Sequence, residues 1–263
     1  MSDAAVLRRF SASAARYDAH AYAQRLSAAD LLAFTLDAAA ARPPVRILEP
    51  GCGTGLYTGL LLDAFPAAGI EGVDLSASMV RIARERIRDP RVRFIVADAE
   101  AIAAGRYDLI SSNATFQWFL SFRRTVARMA SLLPPGGRLT FSFFGPGTFA
   151  ELDEALRATQ GGPGGDRAAA AGFLSRDEIA ASLSAAFPRW AIEERTYRQE
   201  FADLAGLLRT IRYTGTGGGG ARGGWTPRRL ERVERAYRAR YGGIRATYQV
   251  YLCRGDAPEE CGG

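Results

Sequence analysis

Three glycines at alternate positions, Gly51, Gly53 and Gly55, follow Glu49 in the run ILEPGCGTGLYTGLL, with Cys52 between the first two. Residues without a Cβ let the chain turn sharply and approach a ligand, and a helix opening straight afterwards offers free amides. The spacing is GxGxG, because position 56 is leucine, and not the GxGxxG of dinucleotide sites. Nineteen residues beyond Gly55 stands Asp74, followed by Leu75 and, one helical turn on, Met79. A carboxylate there can accept both hydroxyl protons of a ribose and would repel a ribose phosphate. Asp74 could instead cap the next helix, but Ser76 is better placed to do so. Asp98-Ala99-Glu100 forms a third element, in which Asp98 can accept from an adenine amino group while the following amide reads a ring nitrogen. Asn113-Ala114 is the fourth, set to lie near an amino-acid portion of the same ligand.

These elements need a scaffold that brings them together. Five short apolar runs precede or contain them: 45–50, 69–75, 92–98, 107–113 and 137–144. Helical patterns separate the runs at about 55–65, 76–88 and 121–133. Such alternation predicts a parallel sheet with helices on both faces, and each element falls at the carboxyl end of a strand, where ligands bind in such sheets. Residues 12–38 predict one or two helices ahead of this core, ended by Pro43 and Pro44. After Phe144 the pattern predicts a helix at 145–159, a second started by a capping box of Ser175 and Glu178, a strand over 190–201, helices over 203–215 and 226–241, and a closing strand over 247–254. The expected fold is therefore α/β, a Rossmann-like, doubly wound, mostly parallel seven-stranded sheet with an antiparallel C-terminal strand. N-terminal helices and helical insertions would form a lid. One domain over 1–263 is expected, with a helical cap at 1–42, a cofactor-binding core at 43–145 and substrate-side helices and closing strands at 146–263.

Composition narrows the partners. The chain has 263 residues, 48% hydrophobic and 24% charged, with a formal charge of +6. The positive charge is entirely arginine and is scattered from Arg8 to Arg254, so a solvated basic surface or an acidic protein partner is favoured over nucleic acid. The glycine-rich runs at 161–165 and 217–224 lack the GxxxxGK[ST] of a phosphate loop and predict surface loops. Cys52, Cys253 and Cys261 are far apart, and His20 is the single histidine, so neither a disulfide framework nor a metal site is expected. No apolar run suggests a signal peptide or membrane span, and a soluble, cytoplasmic monomer is expected.

With these residues in place, the chain resembles the class I S-adenosylmethionine-dependent methyltransferases. Outside the cofactor half it resembles the malonyl acyl-carrier-protein O-methyltransferases of biotin synthesis. The likeness begins in RRFSASAARYDAHAYAQRLSA, with Phe10, Tyr17-Asp18 and Gln24 at the family's spacing. It continues through SNATFQWF at 112–119, FGPGTFAEL at 144–152, LLRTIRYTG at 207–215 and TYQVYL at 247–252. Arg212 stands where relatives tend to have lysine, and the two glycine runs are local elaborations.

The resemblance implies methyl transfer from S-adenosylmethionine to the free carboxylate of a malonyl thioester on acyl-carrier protein, or on CoA. The product would be a methyl ester able to prime pimeloyl and biotin synthesis, with S-adenosylhomocysteine as co-product. Such a carboxylate is ionised at neutral pH and needs no general base, in keeping with one histidine. Arg209 and Arg212, three apart on one helix face beside Tyr213, are candidates for the malonyl carboxylate or the phosphopantetheine. Arg123 and Arg124 could meet an acidic carrier. Tyr17 and Gln24, with Tyr22 between them, would close over cofactor or substrate, and Gln117 and Trp118 would wall the transfer pocket. Cys52 is read as a small residue without a catalytic role. A trans-aconitate-like or other small-molecule carboxyl methyltransferase, a cofactor-binding subunit without turnover, and a nucleic-acid methyltransferase are the alternatives.

Overall fold

The computed structural model describes residues 11, 14–37, 43–159, 167–215 and 224–259. Phe10 and the glycine runs 161–165 and 217–223 lie outside them. The strands are β1 (Arg46–Pro50), β2 (Gly69–Asp74), β3 (Val92–Val96), β4 (Leu109–Ser112), β5 (Arg138–Phe144), β6 (Arg189–Phe201) and β7 (Ile244–Asp256). They form one seven-stranded sheet in the order β3-β2-β1-β4-β5-β7-β6. β1 to β5 pair in parallel, and β7 runs antiparallel to both β5 and β6. This is the expected doubly wound, mostly parallel sheet, and the reversal of strand order between the parallel neighbours β1 and β4 opens a crevice at their carboxyl ends. β7 starts at Ile244, earlier than expected, because its register with β6 runs from Arg189↔Asp256 through to Phe201↔Ile244.

Helices cover the sheet: α1 (residues 14–20), α2 (Tyr22–Asp37), α3 (Leu56–Ala64), α4 (Ala77–Arg86), α5 (Phe122–Ser131), α6 (Ala150–Ala158), α7 (Arg176–Ala186), α8 (Leu204–Thr214) and α9 (Pro227–Tyr241). Their starts are written locally. The side chains of Ser76, Asp203 and Thr226 accept from backbone N–H groups of the first turns of α4, α8 and α9, and Ser175 and Glu178 form the predicted box on α7.

Alternate residues of the central strands enter different cores, as the two faces of a sheet require. Ile47, Leu109 and Phe144 pack with α2, α3 and α6, whereas Leu48, Ile110 and Phe143 pack with α5 and α7. A chain of buried hydroxyls fixes α2 to the sheet. Thr35 Oγ1 donates to the Leu31 carbonyl at 2.7 Å and lies 3.0 Å from Thr140 Oγ1, Thr140 meets Ser111 at 2.9 Å, and Ser111 meets the Tyr57 hydroxyl at 2.7 Å. No helix among the described residues is long and apolar enough to cross a membrane.

Candidate functional site

A cavity opens at the carboxyl ends of β1, β2 and β4, the position that the strand order dictates. The glycine loop reaches it by folding over the end of β2: the amides of Gly51 and Cys52 both donate to the Val73 carbonyl, at 2.7 and 3.1 Å. This turn needs a left-handed backbone at Gly51, φ 70°, and a Cβ there would lie 2.2 Å from Thr115 Oγ1. Gly53 also lines the cavity, and a Cβ built on it meets nothing within 4 Å, so only open space stands before this backbone. The Gly53 amide turns inward to donate to Asp74 Oδ2 at 3.0 Å, while the Ser76 amide donates to Oδ1 at 2.8 Å. Two amides thus aim the Asp74 carboxylate. Burial raises its pKa, opposed by those bonds. Ser76, not Asp74, makes the cap on α4, through Met79 N at 3.3 Å.

Tyr17, Gly51, Gly53, Asp74, Leu75 and Met79 line this cavity, as do Asp98, Ala99, Glu100, Asn113, Ala114 and Trp118. Asp98 caps a short 3-10 turn by accepting from Glu100 N at 2.8 Å. The Glu100 carboxylate points elsewhere: it accepts from Leu120 N at 2.9 Å and Thr125 Oγ1 at 2.7 Å, capping α5, whose own Ser121 makes no such bond. Asn113 ties three elements together, its Oδ1 accepting from Ser27 and Ser142 at 2.8 Å each and its Nδ2 donating to the Gln24 carbonyl at 3.0 Å. Those bonds brace Ala114 in a left-handed conformation, φ 52°, that an alanine adopts only under constraint. The Ala114 amide donates to Ser142 Oγ at 2.7 Å.

Eight of the sequence candidates do not line the cavity. Gln24 is buried on α2, where its carbonyl accepts from Asn113 Nδ2, and Tyr22 is half-buried on the same helix. Gln117 is turned back on its own loop, donating to the Ala114 carbonyl at 2.7 Å. Glu49 is buried behind the loop, accepts from Thr58 Oγ1 at 2.5 Å, and has its pKa pushed up to about 8 by desolvation. Cys52 packs with Val80, Ala83 and Phe94, where burial raises the thiol well above its ordinary pKa. Gly55 serves packing, since a Cβ on it would lie 3.3 Å from that of Ala83. Arg209 and Arg212 are exposed on α8. Val73, Thr115 and Phe119 line the cavity without having been singled out. Val73, Thr115 and Phe119 each adjoin a named residue, Asp74, Ala114 and Trp118, so extending those segments by one residue would have found them. What no local pattern announces is that Thr115 touches Gly51, donating to its carbonyl at 3.3 Å.

The helical cover is pinned from two directions. On α1, Tyr17 faces the cavity, and burial followed by the charges of Asp74 and Asp18 raises its hydroxyl pKa, keeping the proton on. Asp18 accepts from Thr54 Oγ1 at 2.7 Å and pairs with Arg86, which also donates to the Thr54 carbonyl at 2.9 Å. Toward α8, Arg16 donates to the Tyr213 hydroxyl at 2.6 Å, and His20 Nδ1 lies 3.0 Å from Thr210 Oγ1.

Comparison with known proteins agrees with this geometry. Residues 47–137 match the methyltransferase domain family. A malonyl-[acyl-carrier protein] O-methyltransferase of Geobacter sulfurreducens is 35% identical over 256 residues, covering 93% of this chain and 95% of that one. One from Halalkalibacterium halodurans is 35% identical over 264 residues, covering 95% and 97%. One from Priestia megaterium reaches 45% identity over 146 residues, 55% of this chain and 53% of that protein. Among solved structures, the YcgJ protein of Bacillus subtilis shares the fold, with a TM-score of 0.60 at 19% identity over 88% of this chain and 99% of that one. Identity of this order across more than nine-tenths of its length leaves one assignment: the chain belongs to the malonyl-[acyl-carrier protein] O-methyltransferases, S-adenosylmethionine-dependent enzymes on a Rossmann-like fold.

Proposed function

We propose that this chain methylates the free carboxylate of a malonyl group held as a thioester on acyl-carrier protein, giving a methyl ester that primes pimeloyl and biotin synthesis. The observation that carries this reading is the near full-length identity to proteins of that name. The site is compatible with it. Gly53 leaves space for a ligand against bare backbone, and the amides on Asp74 hold a carboxylate ready for a vicinal diol.

When bound, S-adenosylmethionine supplies a methyl group on a sulfonium, open to in-line attack by a carboxylate oxygen. In this reading Asp74 accepts from the ribose hydroxyls, Asp98 and the Ala99 amide meet the adenine edge, and the braced Asn113-Ala114 turn holds the amino-acid end. Met79 and Leu75 supply apolar walls. Glu49 acts from behind the loop, shaping it through Thr58. Tyr17 and Trp118 close the cavity over the acceptor and exclude water, which raises the nucleophilicity of a carboxylate that needs no deprotonation. Tyr17 keeps its proton and can donate to an acceptor oxygen. Gln24 and Gln117 support the Asn113-Ala114 turn from either side, and Tyr22 carries the chain into α2. Arg209 and Arg212 orient the incoming acid from the α8 side, and Arg-for-Lys at 212 keeps the charge while offering a fork.

The test is a mass gain of one methylene on malonyl-carrier protein, read against malonyl-CoA and free dicarboxylic acids. Turnover of the thioesters is expected, with R209A/R212A lowering kcat/KM about tenfold or more. Equal methylation of free acids would overturn the thioester assignment.

A further inference from the structure

The loop after β4 leaves the cavity at Trp118 and Phe119 and ends on Leu120, which is 61% exposed. Arg123 and Arg124 follow in the first turn of α5, both exposed. Leu120 is not a frayed end: Glu100, whose neighbours Asp98 and Ala99 also line the cavity, holds its amide at 2.9 Å and clamps Thr125 on the same carboxylate. Neither guanidinium has an ion-pair or hydrogen-bond partner among the described residues, whereas Arg128 on the same helix donates to the Ile102 carbonyl at 2.7 Å. No acidic residue in the first turn of α5 offsets Arg123 and Arg124. Two cations at the positive end of a helix repel its dipole, and an exposed leucine gains nothing from water. Both features are unfavourable in the free chain and favourable against an anionic surface with a shallow apolar socket.

We propose that Leu120, Arg123 and Arg124 form the docking surface for an acidic face of the carrier protein, placing its arm at the cavity mouth beside Phe119. This rests on the functional reading above and adds the place of contact. Charge complementarity selects the occupant, because two unpaired guanidinium forks suit carboxylates on a protein face. Coenzyme A has no such face and does not need the patch. Glu100 joins the two sites: it lines the cavity, and its carboxylate holds the docking turn.

Steady-state kinetics of the wild type, R123A/R124A and L120A with malonyl-carrier protein and malonyl-CoA test this. The double variant is expected to raise KM for the carrier about tenfold or more, to leave kcat and the malonyl-CoA KM within about twofold, and to flatten the salt dependence of carrier kcat/KM. L120A is expected to give a smaller carrier-specific rise. R123K/R124K is expected to restore part of the loss, since it keeps charge without the fork. Melting temperatures at or above wild type confirm folding, as like charges leave a positive helix end. An unchanged carrier KM, or an equal rise for both thioesters, overturns the proposal, as does a loss confined to self-association in sedimentation. Failure of the wild type to turn over malonyl-carrier protein overturns the functional reading and this surface together, whereas wild-type turnover with unaltered variants removes the surface alone.

Discussion

The glycine loop after β1 and the helical cover of α1 meet across Tyr17, and they are held in opposite ways. The loop is fastened by backbone: its amides bond Val73 and Asp74, and its shape depends on positive φ at Gly51, Gly53 and Gly55. The cover is fastened by side chains from distant parts of the chain, Asp18 to Thr54 and Arg86, Arg16 to Tyr213, and His20 to Thr210. A loop built from backbone presents one rigid surface, suited to a ligand that never changes. A cover pinned by partly exposed polar contacts can lift, suited to a site that must admit both cofactor and acceptor.

Substitution within the loop should be the most damaging. Gly51→Ala places a Cβ against Thr115 and forces an unfavourable φ, so a destabilisation of about 2–4 kcal/mol is expected, with loss of S-adenosylmethionine affinity by about 100-fold or more. Thermal melting and calorimetric titration would read both, and normal binding by this variant would break the contrast on the loop side. Next comes Glu49→Gln. Burial raises the folded pKa to about 8 from 4.5, so the stability contributed by the neutral carboxyl is complete below about pH 4.5 and lost as pH rises toward 8. The wild-type melting temperature should fall across that window by an amount worth on the order of a few kcal/mol, and the glutamine variant should flatten the slope. A slope identical in the two proteins would place the titration elsewhere.

The smallest effect belongs to the cover. The Asp18 and Arg86 side chains are 34% and 33% exposed, so solvent screening limits Asp18→Ala to about 1 kcal/mol or less of global stability. Local opening should nonetheless increase. Proteolysis within residues 14–20 and cofactor dissociation are both expected to rise several-fold while the core melts unchanged. A large drop in melting temperature would sharpen the comparison in the other direction, making α1 part of the core.

The parallel strands were legible because each is a short apolar run bounded by loops, and the start of α7 because its capping box lies within four consecutive residues. β7 was read too short, since its first residues are ordered by pairing with β6 and carry little apolar signal of their own. In the cavity, Gly51, Asp74 and Asn113 were legible from type and position. The direction of the Glu100 carboxylate was not, because its partners Leu120 and Thr125 lie on another element. Gln24 was read as closing over cofactor or substrate, and its carbonyl's bond to Asn113 could not be read, because the two residues lie 89 positions apart.

By itself, the sequence determined the order of strands and helices, the glycine turn, the cap on α4 and the carboxylate beside the loop, because each depends on residues within a few positions of one another. Only the tertiary structure decided that Thr115 fills the space beside Gly51, that Arg86 and Thr54 hold α1, and that Glu49 and Cys52 lie behind the loop and not in the cavity. Those outcomes depend on burial and on contacts between residues tens of positions apart, which packing creates and local pattern does not encode. The Gly51 to Gly55 loop, legible first, is therefore only the floor of the site, while its roof is assembled by the fold.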